Sequence, residues 1–142
     1  VYKVEVQWNG MMAFTGVSER SGNQVRLDTS VENGGENSGV TPMEAVLIGL
    51  AGCSGMDVVS ILAKKRVEID GLTIAVEGTR RSEHPKIFTG INVTYTFSGA
   101  DLEAKRKALE DSVQLSMEKY CSVAGMLNKA AELTWQVELA RS

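Results

Sequence analysis

Residues that most often betray a function are scarce in this chain. Two cysteines in 142 residues are too few for the disulfide framework of a small secreted domain, and Cys53 and Cys121 lie far outside any close metal-ligand spacing, so structural zinc is not expected. The one histidine, His84, sits beside Pro85 among Arg80, Arg81 and Lys86; it reads as a solvated turn residue, and no Cys–His dyad follows from it. An excess of charge of one sign is also missing. A formal net charge of −3 supplies no field to attract nucleic acid. No apolar run reaches the roughly 20 residues that cross a bilayer, and Val1 to Trp8 alternates polar with apolar instead of forming a signal-peptide core. No membrane partner and a soluble, cytoplasmic protein are expected. Val1 is not a natural start, so residues are expected to precede it.

What the chain does have is ordinary globular material, 43% hydrophobic and 23% charged, in a length that suits a single domain over residues 1–142. Tyr2, Val4, Val6 and Trp8 point one way and Lys3, Glu5 and Gln7 the other, the period-2 pattern of a half-buried strand. Asn9-Gly10 then signals a hairpin turn. Further strands are expected around Met12 to Val17 and Gln24 to Asp28, on either side of the polar turn Ser18 to Gly22. Residues 1–40 therefore form an antiparallel meander, and Thr29 to Gly39, rich in Gly, Asn, Ser and Glu, is expected to be a mobile loop.

Thr41-Pro42 opens a helix of about residues 42–65: Thr caps, Pro suits the first helical position, and Glu44 completes a capping box. The stretch from Ala45 to Leu62 is apolar nearly all round, and its small residues Gly49, Ala51, Gly52, Ser54 and Gly55 weaken an isolated helix. Close packing on all sides is expected to compensate, at the centre of the fold or in a subunit interface. Alternation returns from Leu72 to Thr79 and from Ile87 to Ser98, where Ile87, Thr89, Ile91, Val93, Tyr95 and Phe97 share a face, with the polar turn Ser82 to Pro85 between. Asp101 is expected to cap a second helix reaching Tyr120. A third helix, Val123 to Ala130, with Ser122 as a candidate cap, and a strand, Leu133 to Leu139, complete an α+β chain whose hairpin, helices and final strand span 71–140.

Two readings of the cysteines remain open on residues alone: two buried inert thiols, or one reactive pair. Cys121 precedes a helix start, where free N–H groups and the dipole favour a thiolate and lower its pKa. Mid-helix and in apolar surroundings, Cys53 needs a cation from elsewhere to become reactive.

Thr41-Pro42-Met43-Glu44, then Gly49-Leu50-Ala51-Gly52-Cys53 and Asp57-Val58-Val59, resembles the cysteine-bearing helix of the OsmC/Ohr family, and Lys119-Tyr120-Cys121-Ser122-Val123 resembles its second cysteine motif. Met56 to Leu62 and Tyr120 to Ala124 are similar to the YhfA-type branch of OsmC-like proteins. The resemblance implies an OsmC-like fold, antiparallel sheets packed around a long buried central helix, in an intertwined homodimer. It also implies a cofactor-free thiol peroxidase: Cys53 attacks an organic hydroperoxide and becomes a sulfenic acid, Cys121 resolves it as a disulfide, and a dithiol reductant resets the pair. By the same resemblance an arginine from the early strand-turn region, Arg20 or failing it Arg26, activates Cys53 and is braced by Glu44. Glu44 and Cys53 are nine residues apart and face opposite sides of a straight helix at 100° per residue, which suits a site assembled from two chains.

Plainer roles stand beside these. Glu44 serves equally as a capping residue alone. Asp57 fits a solvated or internally paired carboxylate better than a partner of Cys53, because a negative charge there opposes thiolate formation. Met43, Met56, Met117 and Met126 fit core filler better than the lining of a peroxide pocket. The alternative function is a non-catalytic OsmC-like protein that holds a small apolar or thiol-reactive ligand at the dimer interface.

Overall fold

The computed structural model describes residues Val1–Ala140, and the chain divides into two compact units, Val1–Val46 and Leu47–Ser142. In the first unit β1 (Val4–Trp8), β2 (Phe14–Ser18) and β3 (Gln24–Leu27) make the expected antiparallel meander in the order β1-β2-β3. The turn after Trp8 uses positive φ at Gly10 (98°) and Met11 (49°), and the Trp8 indole N–H donates to the Met11 carbonyl at 2.8 Å. Half-burial of β1 is not what the chain provides. Val4, Val6 and Trp8 are 74%, 54% and 64% exposed, because the pleat presents an apolar face that nothing in this unit covers.

The loop after β3 is bonded to a single side chain. Asp28, 2% exposed, accepts hydrogen bonds from the backbone N–H groups of Thr29 (2.7 Å), Glu36 (3.3 Å) and Ser38 (3.1 Å) and from the Ser38 hydroxyl. One carboxylate thus organises the backbone from Thr29 to Ser38. Glycines were needed for a steric reason as much as for turns, since a Cβ at Gly35 would collide with the Thr29 carbonyl and with Asp28.

Helix α1 (Pro42–Lys64) starts in the first unit and continues into the second. The expected capping box is present: the Thr41 N–H donates to Glu44 Oε1 at 2.9 Å and the Glu44 N–H to Thr41 Oγ1 at 3.2 Å. Burial is not all round. Only the four-residue stripe Leu50, Ser54, Val58 and Leu62 is buried, while Ile48, Met56 and Val59 are exposed. By length and composition alone this 23-residue helix would also suffice to cross a bilayer, contrary to the expectation from the sequence.

The second unit builds a mixed sheet in the order β4-β5-β6 from β4 (Gly71–Arg80), β5 (Phe88–Ser98) and β6 (Glu132–Leu139). β4 pairs antiparallel to β5, whereas β6 runs parallel to it, so this sheet is not purely antiparallel. Ile91, Val93, Tyr95 and Phe97 face the core as expected, but Phe88 takes the inward place assigned to Thr89 and Ile87. The cause is a register shift opposite Thr79 and Arg80, which flips the side-chain alternation at one end of β5. His84 is exposed.

Asp101 does not cap the following helix. It has φ 58°, and a 3₁₀ turn, Glu103–Lys105, leads into α2 (Arg106–Leu115). α2 then widens into a π-helical turn, Ser116–Tyr120, before the short α3 (Ser122–Leu127). Leu102, Leu109, Val113 and Met117 from this region, with Leu50, Val58 and Leu62 of α1, complete the second unit's core.

Candidate functional site

Both cysteines lie in the second unit, half-buried Cys53 on α1 and buried Cys121 just after the π-turn. Neither is in a disulfide, and the Cys53 thiol is close enough to act on the ionisation of Cys121. Residues 68 apart in sequence are brought together because the π-turn ends where α1 passes.

Cys121, not Ser122, is the N-cap of α3, and its sulfur accepts the Ala124 N–H at 3.4 Å. The helix N-terminus was expected to lower the thiol pKa. Instead burial dominates and pushes it from 9.0 up to about 11; the Ala124 N–H lowers it, and the neighbouring Cys53 thiol raises it further. A few N–H dipoles do not offset the loss of water around a sulfur that is 4% exposed.

Beside the pair runs a buried hydroxyl network. Ser54 Oγ meets Tyr95 Oη at 2.5 Å and Ser116 Oγ at 2.8 Å, and the Ser116 hydroxyl lies 3.1 Å from Asp57 Oδ2, to which it can donate. Ser54, Ser116 and Tyr95 are all fully buried. Burial first of all pushes Tyr95 up to about 12; the Ser54 contact lowers it, while Cys121 and Asp57 raise it. Asp57 is therefore internally paired, one of the two structural roles open to it. The network joins residues 41 to 62 positions apart, beyond any local pattern. Its one signal in the sequence is a serine at the four-residue spacing of Leu50, Val58 and Leu62, where an apolar residue belongs.

The remaining candidates belong to the first unit. Arg20 is exposed in the turn between β2 and β3, beside a cleft of about 460 Å³ formed by Val1 to Val4, Ser18 and Glu19. Arg26 on β3 donates from Nε to Ser38 Oγ at 3.0 Å, which ties it to the Asp28 loop. Glu44 is engaged in the capping box, and the Thr41 N–H and hydroxyl hold its carboxyl below the usual range.

An α+β chain with two small sheets, a long cysteine-bearing helix and a second cysteine at a helix start defines a dithiol protein of one recognisable architecture. The family described as "OsmC-like protein" matches residues 35–136. Protein YhfA of Escherichia coli K12 is 41% identical over 137 residues, covering 96% of this chain and 97% of its own. This chain belongs to the OsmC-like protein family. Among solved structures, a hypothetical protein from Aquifex aeolicus superposes with a TM-score of 0.77 at 33% identity, covering 99% of this chain and 98% of that one. An organic hydroperoxide resistance protein OsmC from Legionella pneumophila shares the fold, with a TM-score of 0.70 at 14% identity, covering 97% and 96% of the two chains.

Proposed function

We propose that this protein is a thiol-dependent peroxidase of the cytoplasm that reduces organic hydroperoxides. The observation that carries the proposal is the adjacency of two free thiols of different character, Cys53 half-buried and Cys121 buried with a raised pKa. The hydroperoxide resistance named for the Legionella relative agrees with it. In the first step the Cys53 thiolate attacks the outer peroxide oxygen, the O–O bond breaks, and the alkoxide leaves and takes up a proton as the alcohol. In the second, the Cys121 sulfur attacks the Cys53 sulfenic acid; the S–O bond breaks, and hydroxide leaves with the Cys121 proton as water. A dithiol reductant then supplies two electrons and two protons by thiol–disulfide exchange.

A buried, protonated Cys121 suits the resolving role. It is a poor nucleophile toward peroxide, yet it carries the proton that the departing hydroxide needs. The Cys53 thiolate and the leaving alkoxide call for a cation beside them. We place the site in a homodimer, supported by the uncovered apolar faces of β1 and α1.

Single-turnover oxidation of the reduced protein by cumene hydroperoxide tests the proposal, with thiols counted and the disulfide located by mass spectrometry. Two thiols are expected to disappear into a Cys53–Cys121 bond, with Cys53→Ser abolishing the reaction and Cys121→Ser halting it at sulfenic acid. Wild-type oxidation no faster than that of glutathione would sink the peroxidase and leave ligand binding as the function to pursue.

A further inference from the structure

Ser116 occupies an unusual place. It is the first residue of the π-turn Ser116–Tyr120, and it is bonded at both ends. Its carbonyl accepts the Cys121 N–H at 2.7 Å, a span of five residues that the wider turn alone allows. Its hydroxyl reaches α1 at Ser54 Oγ (2.8 Å) and Asp57 Oδ2 (3.1 Å). These are the residue next to Cys53 and the residue one turn beyond it. Tyr95 of β5 closes the far side of the Ser54 hydroxyl at 2.5 Å.

The backbone that carries Cys121 is thereby tied to the helix that carries Cys53 through one side chain. A buried serine hydroxyl gives little to an apolar core, and two of them beside the buried Tyr95 hydroxyl demand mutual satisfaction. Among the described residues no buried side-chain nitrogen or oxygen is left without a partner. The network fixes distance and orientation along a direction that apolar packing would leave free to slide.

We propose that Ser116, through Ser54 and Asp57, is a positioning residue that sets the approach of the Cys121 sulfur to Cys53 and so governs formation of the disulfide, without touching substrate. The proposal rests on the pairing of Cys53 with Cys121 put forward above. Its consequence is selective. Loss of the Ser116 hydroxyl slows resolution and weakens the disulfide while leaving the reaction of Cys53 with peroxide unchanged.

The test is the equilibrium of the full-length protein with reduced and oxidised glutathione, which needs no peroxide and therefore stands or falls apart from the peroxidase. Ser116→Ala is expected to lower the equilibrium constant for the Cys53–Cys121 disulfide about 10-fold. Ser54→Ala, which leaves the Ser116 contact to Asp57, is expected to lower it by less, and the double variant no more than Ser116→Ala alone, because loss of the Ser116 hydroxyl already removes the Ser54 link. A general loosening of the fold would instead give additive losses. Tyr95→Phe, which spares the Ser116 contacts to Ser54 and Asp57, serves as a second variant and is expected to stay within about 2-fold of wild type. If cumene hydroperoxide oxidises the protein, stopped-flow traces of Ser116→Ala should keep the first phase and slow the second by a similar factor. An equilibrium constant for Ser116→Ala within about 2-fold of wild type, or additive losses in the double variant, would overturn the proposal. A wild-type protein that forms the disulfide with glutathione yet ignores peroxide would overturn only the peroxidase.

Discussion

At the scale of single residues, the raised pKa of Cys121 has consequences that can be measured. A rise from 9.0 to about 11 leaves roughly 100-fold less thiolate at neutral pH, and a Brønsted slope near 0.4–0.5 returns about 6–10-fold in nucleophilicity. Iodoacetamide should therefore label Cys121 about 10-fold more slowly than an unperturbed cysteine at pH 8, before steric exclusion slows it further. Peptide mapping after timed quenching measures this, and labelling of Cys121 as fast as a free thiol would contradict its burial. The same shift links to stability. Because the folded protein holds the Cys121 proton more tightly than the unfolded chain, this contribution is intact below pH 9 and is lost as pH rises through about 11. The loss should be smaller in Cys121→Ser. The helix start alone predicts the opposite shift. The helix start after Cys121 was legible from the chain, but the dominant effect is burial, which no local motif records.

Individual elements divide in the same way. Strands β1 to β6 and the start of α1 were legible because their signals are local: period-2 alternation, Asn9-Gly10, and the Thr41–Glu44 box. Composition alone marks Thr29 to Gly39 as mobile and does not record the carboxylate that binds it, whose partners lie up to ten residues away. The Ser38 hydroxyl and the backbone N–H groups around Asp28 hold its pKa down at about 2 from 3.8. A depressed carboxyl contributes stability that is present above pH 4 and is lost as pH falls through about 2. Limited proteolysis should therefore spare the loop at neutral pH and cut it in Asp28→Ala. Gly35→Ala should open it as well, since a Cβ there collides with Thr29 and Asp28. Loop cleavage in these variants no faster than in wild type would mean that Asp28 does not order the segment. The π-turn was invisible for a related reason. Ser116 to Tyr120 has ordinary helical composition, and the bonds from its first residue run to Ser54 and Asp57, far away in sequence.

For the whole molecule, the decisive feature is apolar surface that a single chain leaves in water. α1 reads as a helix buried all round, yet the chain buries only Leu50, Ser54, Val58 and Leu62 and leaves Ile48, Met56 and Val59 at 56%, 76% and 51% exposure. β1 shows the same excess at Val4, Val6 and Trp8. Composition reports the sum of what the chain buries by itself and what a second copy would cover, and it does not separate the two. Substitution does. Leu50→Ala removes a fully buried side chain and should cost about 2–5 kcal/mol of stability in any assembly state. Ile48→Glu adds a carboxylate to a face that is open in the single chain, where a surface change of this kind stays within about 0.5 kcal/mol. If two copies cover that face, the same change buries a charge and should split the dimer. Light scattering is therefore expected to give about twice the 15.3 kDa chain mass for wild type and for a folded Leu50→Ala, and the mass of one chain for Ile48→Glu. A wild-type protein that is monomeric at micromolar concentration would remove the homodimer, and with it any site that borrows Arg20 from a second chain.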